Sequence, residues 1–168
     1  MSSIDPYQPP KSDLSLPTES VSELATLGGR FVAALIDGVI SMVMVVPLMY
    51  LMGLFDYAGQ GEEPPFLLML ASSVISFALF ATVHLVLLKK HGQTIGKRVM
   101  KIRIVDMNGV KPDLATLLFK RYLPVNAVGL IPMLGQFLPL ADVLFIFRRD
   151  RRCVHDLIAG TQVVRVTQ

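Results

Sequence analysis

The chain is 168 residues long, 52% apolar and only 17% charged, with a mean hydropathy of +0.55, proportions outside those of a soluble domain that point to a bilayer as solvent. Its length accommodates one membrane domain and a short tail and excludes a second large globular unit. The formal net charge of +3 sits beside apolar segments rather than on one soluble face, which sets nucleic acid aside and makes anionic lipid headgroups the expected partner.

Residues 1–19 carry four prolines among Ser, Asp and Lys, too polar and too broken to bury a core, and are expected as a disordered cytoplasmic tail. Residues 20–168 form the membrane domain. Ser20-Val-Ser-Glu23 has the spacing of a capping box and predicts a short helix through Leu27 that Gly28-Gly29 ends. No lysine or arginine lies between Arg30 and Lys89, as expected where each would cost roughly 2.5–3.5 kcal/mol at the bilayer centre. Within that stretch residues 31–55 and 66–88 each supply enough helix to cross a core about 30 Å thick. Pro47 is expected to kink the first. The loop between them holds Asp56, Glu62 and Glu63 and no basic residue, so it belongs outside, and Lys89-Lys90-His91 returns the chain to the cytoplasm.

Segment 89–113 alternates apolar and basic residues around Ile102 and Ile104, and Asp106-Met-Asn-Gly109 supplies turn residues, predicting a small cytoplasmic strand and turn. The strand-prone Thr161-Gln-Val-Val-Arg-Val166 is a partner for it. Asp113 is a natural N-cap for a helix over 114–131. A single crossing over 125–147 would export Arg148, Arg149, Arg151 and Arg152 against the charge bias. Pro132, Gly135 and Pro139 instead predict a break and a last helix over 136–147, about 18 Å long and therefore partly re-entrant. The expected fold is an all-α polytopic membrane protein with four membrane helices, the last pair short. Segments 89–113 and 148–168 and both termini are expected in the cytoplasm.

Counted from the cytoplasmic ends, Asp37, His84 and Asp142 lie about 10, 8 and 9 Å deep. Lys120 and Arg121 reach the same level if helix three starts at Asp113. Arg30 and Asp37, seven residues apart, share a face with Ala33, Ala34 and Ser41, which small and polar residues turn inward in a bilayer. Ser73, Ser76, Phe80 and His84 make a similar stripe on helix two. This layer reads in two ways. One is a path for protons or monovalent cations, in which Asp37 binds the ion and Arg30 tunes it. The other is a structural network in which Arg30, Lys120 or Arg121 neutralises Asp37 and Asp142.

Gly92-Gln-Thr-Ile-Gly96-Lys97 has one residue too few for a phosphate loop and lacks its Ser or Thr. His155-Asp156 finds no second cluster to complete a metal site. The single cysteine, Cys153, leaves neither a disulfide framework nor a Cys-based metal site to be expected and reads as a bystander. No nucleophile-with-base arrangement is present, so neither an enzyme nor a cofactor is expected.

Three segments in order, Gly29-Arg-Phe-Val-Ala-Ala-Leu-Ile-Asp37, Gly92-Gln-Thr-Ile-Gly-Lys97 with Val105-Asp-Met-Asn-Gly109, and His155-Asp-Leu-Ile-Ala-Gly-Thr161, resemble the RDD family of membrane proteins over about residues 24–166. The family's one arginine and two aspartates map onto Arg30, Asp37 and Asp156, with Asp142 the other candidate for the second aspartate. Gly92, Thr94, Gly96, Lys97, His155, Asp156, Gly160 and Thr161 carry its motifs, and Arg121 matches its basic third helix. The resemblance implies a multi-pass protein of the bacterial inner membrane. It attaches cation/proton antiport to some members. So small a bundle would need a homo-oligomeric pathway to transport. The alternative is a scaffold that docks a partner through its basic cytoplasmic surface.

Overall fold

A computed structural model describes residues 23–131, 135 and 137–166. The expected tail and Ser20 of the capping box lie outside these residues. Helix α1 (Leu27–Leu51) and helix α3 (Phe66–His91) are long and apolar enough to cross a membrane, each with a mean hydropathy of 2.3 over its best window. Their sides expose large apolar groups, Val43 at 70% and Leu67 at 75%. Such surface is what a bilayer covers. The rest is mostly helical, part of it at one end of this pair and part, with Asn126, alongside α3.

Three boundaries differ from expectation. The predicted helix over 20–27 is absent in its described part: Leu24 bridges to Val164 in extended backbone, and Thr26 is the N-cap of α1, accepting from the Gly29 amide at 3.2 Å. Gly28 and Gly29 therefore open α1 rather than closing a helix before it. At the far end α1 stops at Leu51, since Gly53 turns left-handed with φ 69°, and part of the expected outer loop is the short helix α2 (Leu54–Gln60). Helix α1 runs on through Pro47 without a break.

Between α3 and the third helical stretch lie α4 (Ile95–Val99), where only a strand and turn were expected, and strand β1 (Ile102–Asp106). Gly92 caps α3 at φ 65°, and a Cβ there would stand 2.8 Å from the Ile104 carbonyl, so the motif glycine both turns the chain and admits β1. β1 pairs antiparallel with β2 (Thr161–Arg165), Ile104 opposite Val163. The expected pairing of the insertion with the C-terminus is thus present. Leu24 adds a bridge on the other edge of β2. The two-stranded sheet buries Ile102, Ile104 and Val163 against Ala25, Ala33, Leu88 and Leu117. This core fastens the segment after α3 and the C-terminal strand to one end of the long helices.

The third stretch opens at Asp113, whose carboxylate accepts from the Thr116 amide at 3.1 Å. It is a π-helix over Thr116–Tyr122 and an α-helix, α5, over Leu123–Val128. After the break come α6 (Leu138–Leu144) with a 3-10 turn at Phe145–Phe147, and then α7 (Val154–Ala159). Leu117 and Arg121 lie on one buried face of the π-helix.

Amide exchange tests the sheet. The amides of Ala25, Ile104 and Arg165 donate to Val163, Gly92 and Glu23 carbonyls at 2.9 Å each and should exchange far more slowly than in an unfolded peptide. Unprotected rates at these three positions would rule out the contacts that hold β2 to Glu23–Ala25 and β1 to Gly92.

Candidate functional site

The most buried charge is the Asp156 carboxylate, with no exposed surface, on the first turn of α7. Arg30 from α1 donates to it at 2.6 Å, and Arg121 from the π-helix bonds its other oxygen. Arg121 also donates to the Thr161 hydroxyl at 2.5 Å, and the Cys153 amide donates to Asp156 at 3.2 Å. Burial works against the charged form of Asp156, but the Arg121 guanidinium, helped by Arg30, outweighs it and holds the carboxyl well below the usual carboxylate range. Arg30 also donates to the Arg151 carbonyl, aimed at it by a left-handed turn at Arg151 with φ 51°. Arg152 donates to the carbonyls of Asp156 and Thr161. One aspartate thereby ties α1, the π-helix, α7 and β2 together.

A second cluster holds α4. The Asp37 carboxylate accepts from the Thr94 hydroxyl at 2.5 Å and the Gly96 amide at 2.7 Å, with the Lys97 ammonium 3.9 Å away. His84 accepts from the Ile95 amide at 3.2 Å through Nδ1 and packs on the ring of Phe80. Helix α4 sits so close to α1 that a Cβ on Gly96 would come 2.1 Å from the Ala33 carbonyl. The Gly92–Lys97 motif is therefore a docking element. Its exposed amides are satisfied by one carboxylate and one imidazole inside the long helices.

Asp142 belongs to a third group. Its carboxylate accepts from the His155 amide at 2.8 Å and contacts His155 Nδ1 at 2.6 Å. Burial, and then the charge of Arg121, push the His155 imidazole below its ordinary range against the pull of Asp142, so Nδ1–H donates as a neutral ring. Asp142 and His155 line an interhelical cavity of about 460 Å³, together with Ser41, Ser76, Arg121 and Asn126. A neighbouring cavity of about 450 Å³ shares Ser76, Asn126 and Gly129 with it and reaches Glu62 and Pro64 at the far end of the helices. Arg121 Nε and the Tyr122 hydroxyl, on residues lining the first cavity, have no partner among the described residues. Buried polar atoms of this kind call for a polar occupant, water at the least.

The expected single layer is thus divided. Arg30 does not partner Asp37: helical side chains lean toward the N-terminus, so Arg30 at the start of α1 reaches down to the loop before α7 while Asp37 meets α4. Asp142 is neutralised by no basic helix residue but pairs with His155, and Lys120 is exposed. Asp156, not Asp142, is the aspartate bonded to Arg30. Cys153 is no bystander in geometry: it is buried, caps α7 and lies 3.5 Å from Arg30, and burial pushes its thiol up to about 11. Asn126, which accepts from Ser73 at 2.7 Å, went unnoticed, although a lone amide inside the apolar run from Tyr122 to Ile131 was a usable signal.

A small membrane protein whose first apolar helix is bound to its C-terminal motif through a buried arginine–aspartate pair is the class these features define. The chain belongs to the RDD family, whose model matches residues 24–160. It is similar to the uncharacterized protein YckC of Bacillus subtilis, 32% identical over 140 residues that make up 82% of each chain. It is also similar to an uncharacterized protein of Haemophilus influenzae, 26% identical over 81% of this chain and 74% of that one. No solved structure matches.

Asp156→Asn should cost about 3–5 kcal/mol, because two buried guanidinium groups lose their counter-charge, read as a large fall in melting temperature in detergent. The sign with pH follows from the depressed carboxyl. Its contribution is whole at neutral pH and is lost as the pH falls below about 4, the ordinary carboxylate range. Acid should therefore destabilise the wild type more than the Asn variant, and parallel acid profiles would contradict this. Gly96→Ala should cost about 2–3 kcal/mol through overpacking against Ala33, and an unchanged melt would show that α4 is not docked.

Proposed function

We propose that this chain is a non-enzymatic polytopic protein of the bacterial cytoplasmic membrane that moves a small cation, in its most specific form by cation/proton exchange, through the interhelical cavity. The carrying observation is that cavity. It is lined by hydroxyls and an amide, joins a second cavity toward Glu62, and ends on the carboxylate of Asp142. A carboxylate facing a space between membrane helices that is apolar for the most part, with hydroxyls and an amide set into its wall, is an arrangement an ion path can use. Asp37, committed to Thr94 and Gly96, serves the path by holding α4 rather than by meeting the ion.

In this reading α1 and α3 span fully. The stretch from Asp113 through α5 and the stretch from α6 through Phe147 enter from the cytoplasm as a short, partly re-entrant pair. Both termini are inside, and Lys89, Lys90, Lys101, Arg148 and Arg149, all exposed, meet anionic headgroups. The small bundle acts as a homo-oligomer. The bacterial origin of both relatives supports the localisation.

Two measurements test the proposal. Reagent labelling in intact cells should place Glu62 outside and Gln168 inside, and a common side would overturn the topology. Proteoliposomes challenged with lithium, sodium and potassium should show a pH change coupled to at least one ion, reduced tenfold or more by Asp142→Asn with the variant still folded. A wild type inert to every ion would favour the alternative, a scaffold docking a partner on its basic surface.

A further inference from the structure

We infer that Asp142, Cys153 and His155 form a binding site for one borderline-soft divalent cation of the zinc type. A carboxylate oxygen, a thiol sulfur and an imidazole nitrogen, supplied by α6 and by the start of α7, lie within 4.8 Å of one another. Mixed oxygen, nitrogen and sulfur ligands suit zinc and its neighbours and suit sodium, potassium or magnesium poorly. The sequence gives no hint of this set, since Asp142 is eleven residues or more from the other two. The fold brings it to them.

The geometry needs little change. With metal–ligand lengths of about 2.0–2.3 Å and a tetrahedral angle, the contact from His155 Nδ1 to Asp142, now 2.6 Å, would widen by about 0.8 Å and the sulfur would draw in by about 1 Å. The Asp142 oxygen that accepts from the His155 amide keeps that bond. His155 Nε2 lies 3.8 Å from the Asp156 carboxylate. When the metal takes Nδ1, the ring proton moves to Nε2 and faces that carboxylate, the arrangement that orients a ligating imidazole. The Cys153 sulfur gives its proton to water and, as a thiolate, keeps the Asp156 amide and Arg30 as donors. Thiolate and aspartate together match the dication, but Asp142 then no longer offsets the excess positive charge of Arg30 and Arg121 over Asp156, so the cluster gains one positive charge for each ion bound. One proton is released for each ion bound.

Access is present on both sides. Asp142 and His155 line the cavity of about 460 Å³ and also a separate apolar one of about 300 Å³. The fourth coordination position faces this space and takes water. The site goes beyond the transport reading, because it requires Cys153, which is not among the residues lining either cavity.

Cobalt(II) is the probe. The full chain, purified in detergent without chelator, should bind one equivalent and develop thiolate-to-cobalt charge-transfer absorption in the near ultraviolet, with the intense visible bands of a tetrahedral ion. Cys153 is the chain's single cysteine, so the wild-type spectrum identifies the ligand. Zinc should displace the cobalt, and Asp142→Asn should weaken binding tenfold or more. Cobalt bound without thiolate absorption, or a stoichiometry of one ion per two chains, would overturn the proposal. Cys153→Ser should abolish the charge-transfer absorption and leave monovalent-cation flux unchanged, so that this site and the transport reading fail separately.

Discussion

A single buried carboxylate between two guanidinium groups sets the arrangement of nearly everything else. Asp156 is fully buried, with Arg30 at 8% and Arg121 at 1% side-chain exposure. An isolated charge so placed would cost several kcal/mol, and pairing offsets this only when the remaining donors are satisfied. The Arg151 carbonyl and the Thr161 hydroxyl take further donors of Arg30 and Arg121, and Arg121 Nε alone of the two guanidinium groups' buried atoms is left without a partner among the described residues. Because the partners come from α1, the π-helix, α7 and β2, the cluster decides where each begins or ends relative to the others. Within the π-helix Leu117 and Arg121, four residues apart, face the same buried side, one toward the apolar core and the other toward Asp156.

The two long helices were readable because charge exclusion and length act on whole segments: α3 begins at the expected Phe66 and overruns its expected end by three residues. The errors at α1 are local. Two glycines in succession read as a stop, yet Thr26 caps the helix ahead of them and tertiary contacts of Leu24 and Ala25 with β2 claim the residues assigned to an earlier helix. Asp56 to Gln60 reads as loop by composition, yet with Leu54 and Phe55 it forms a separate short helix bracketed by the left-handed Gly53 and Gly61. The strand pairing was readable from β-prone sequence in two polar segments that each needed a partner.

The site was half legible. Helical spacing correctly puts Arg30 and Asp37 on one face, but spacing is silent about the direction in which a long side chain reaches. Equal depth does not imply contact. In the structure Asp37 and His84 meet only through α4, and Asp142 meets His155. These links cross more than 10 residues of sequence and depend on the packing of α4 and α7, which no periodicity reports. The separation has a consequence for function. With Asp37 and Asp156 both held by structural partners, Asp142 is the one of these three carboxylates that lines the interhelical cavity.

The account stands on the coupling of Arg30 to Asp156, and a double-mutant cycle measures it directly. Thermal or denaturant unfolding of the wild type, Arg30→Gln, Asp156→Asn and the double variant, in one detergent at neutral pH, yields the interaction energy. A coupling of about 2 kcal/mol or more, with the double variant no less stable than Asp156→Asn alone, is the predicted result. Additive losses would mean that the two residues stabilise the protein independently, and the buried pair would then not be what joins the first helix to the C-terminal motif.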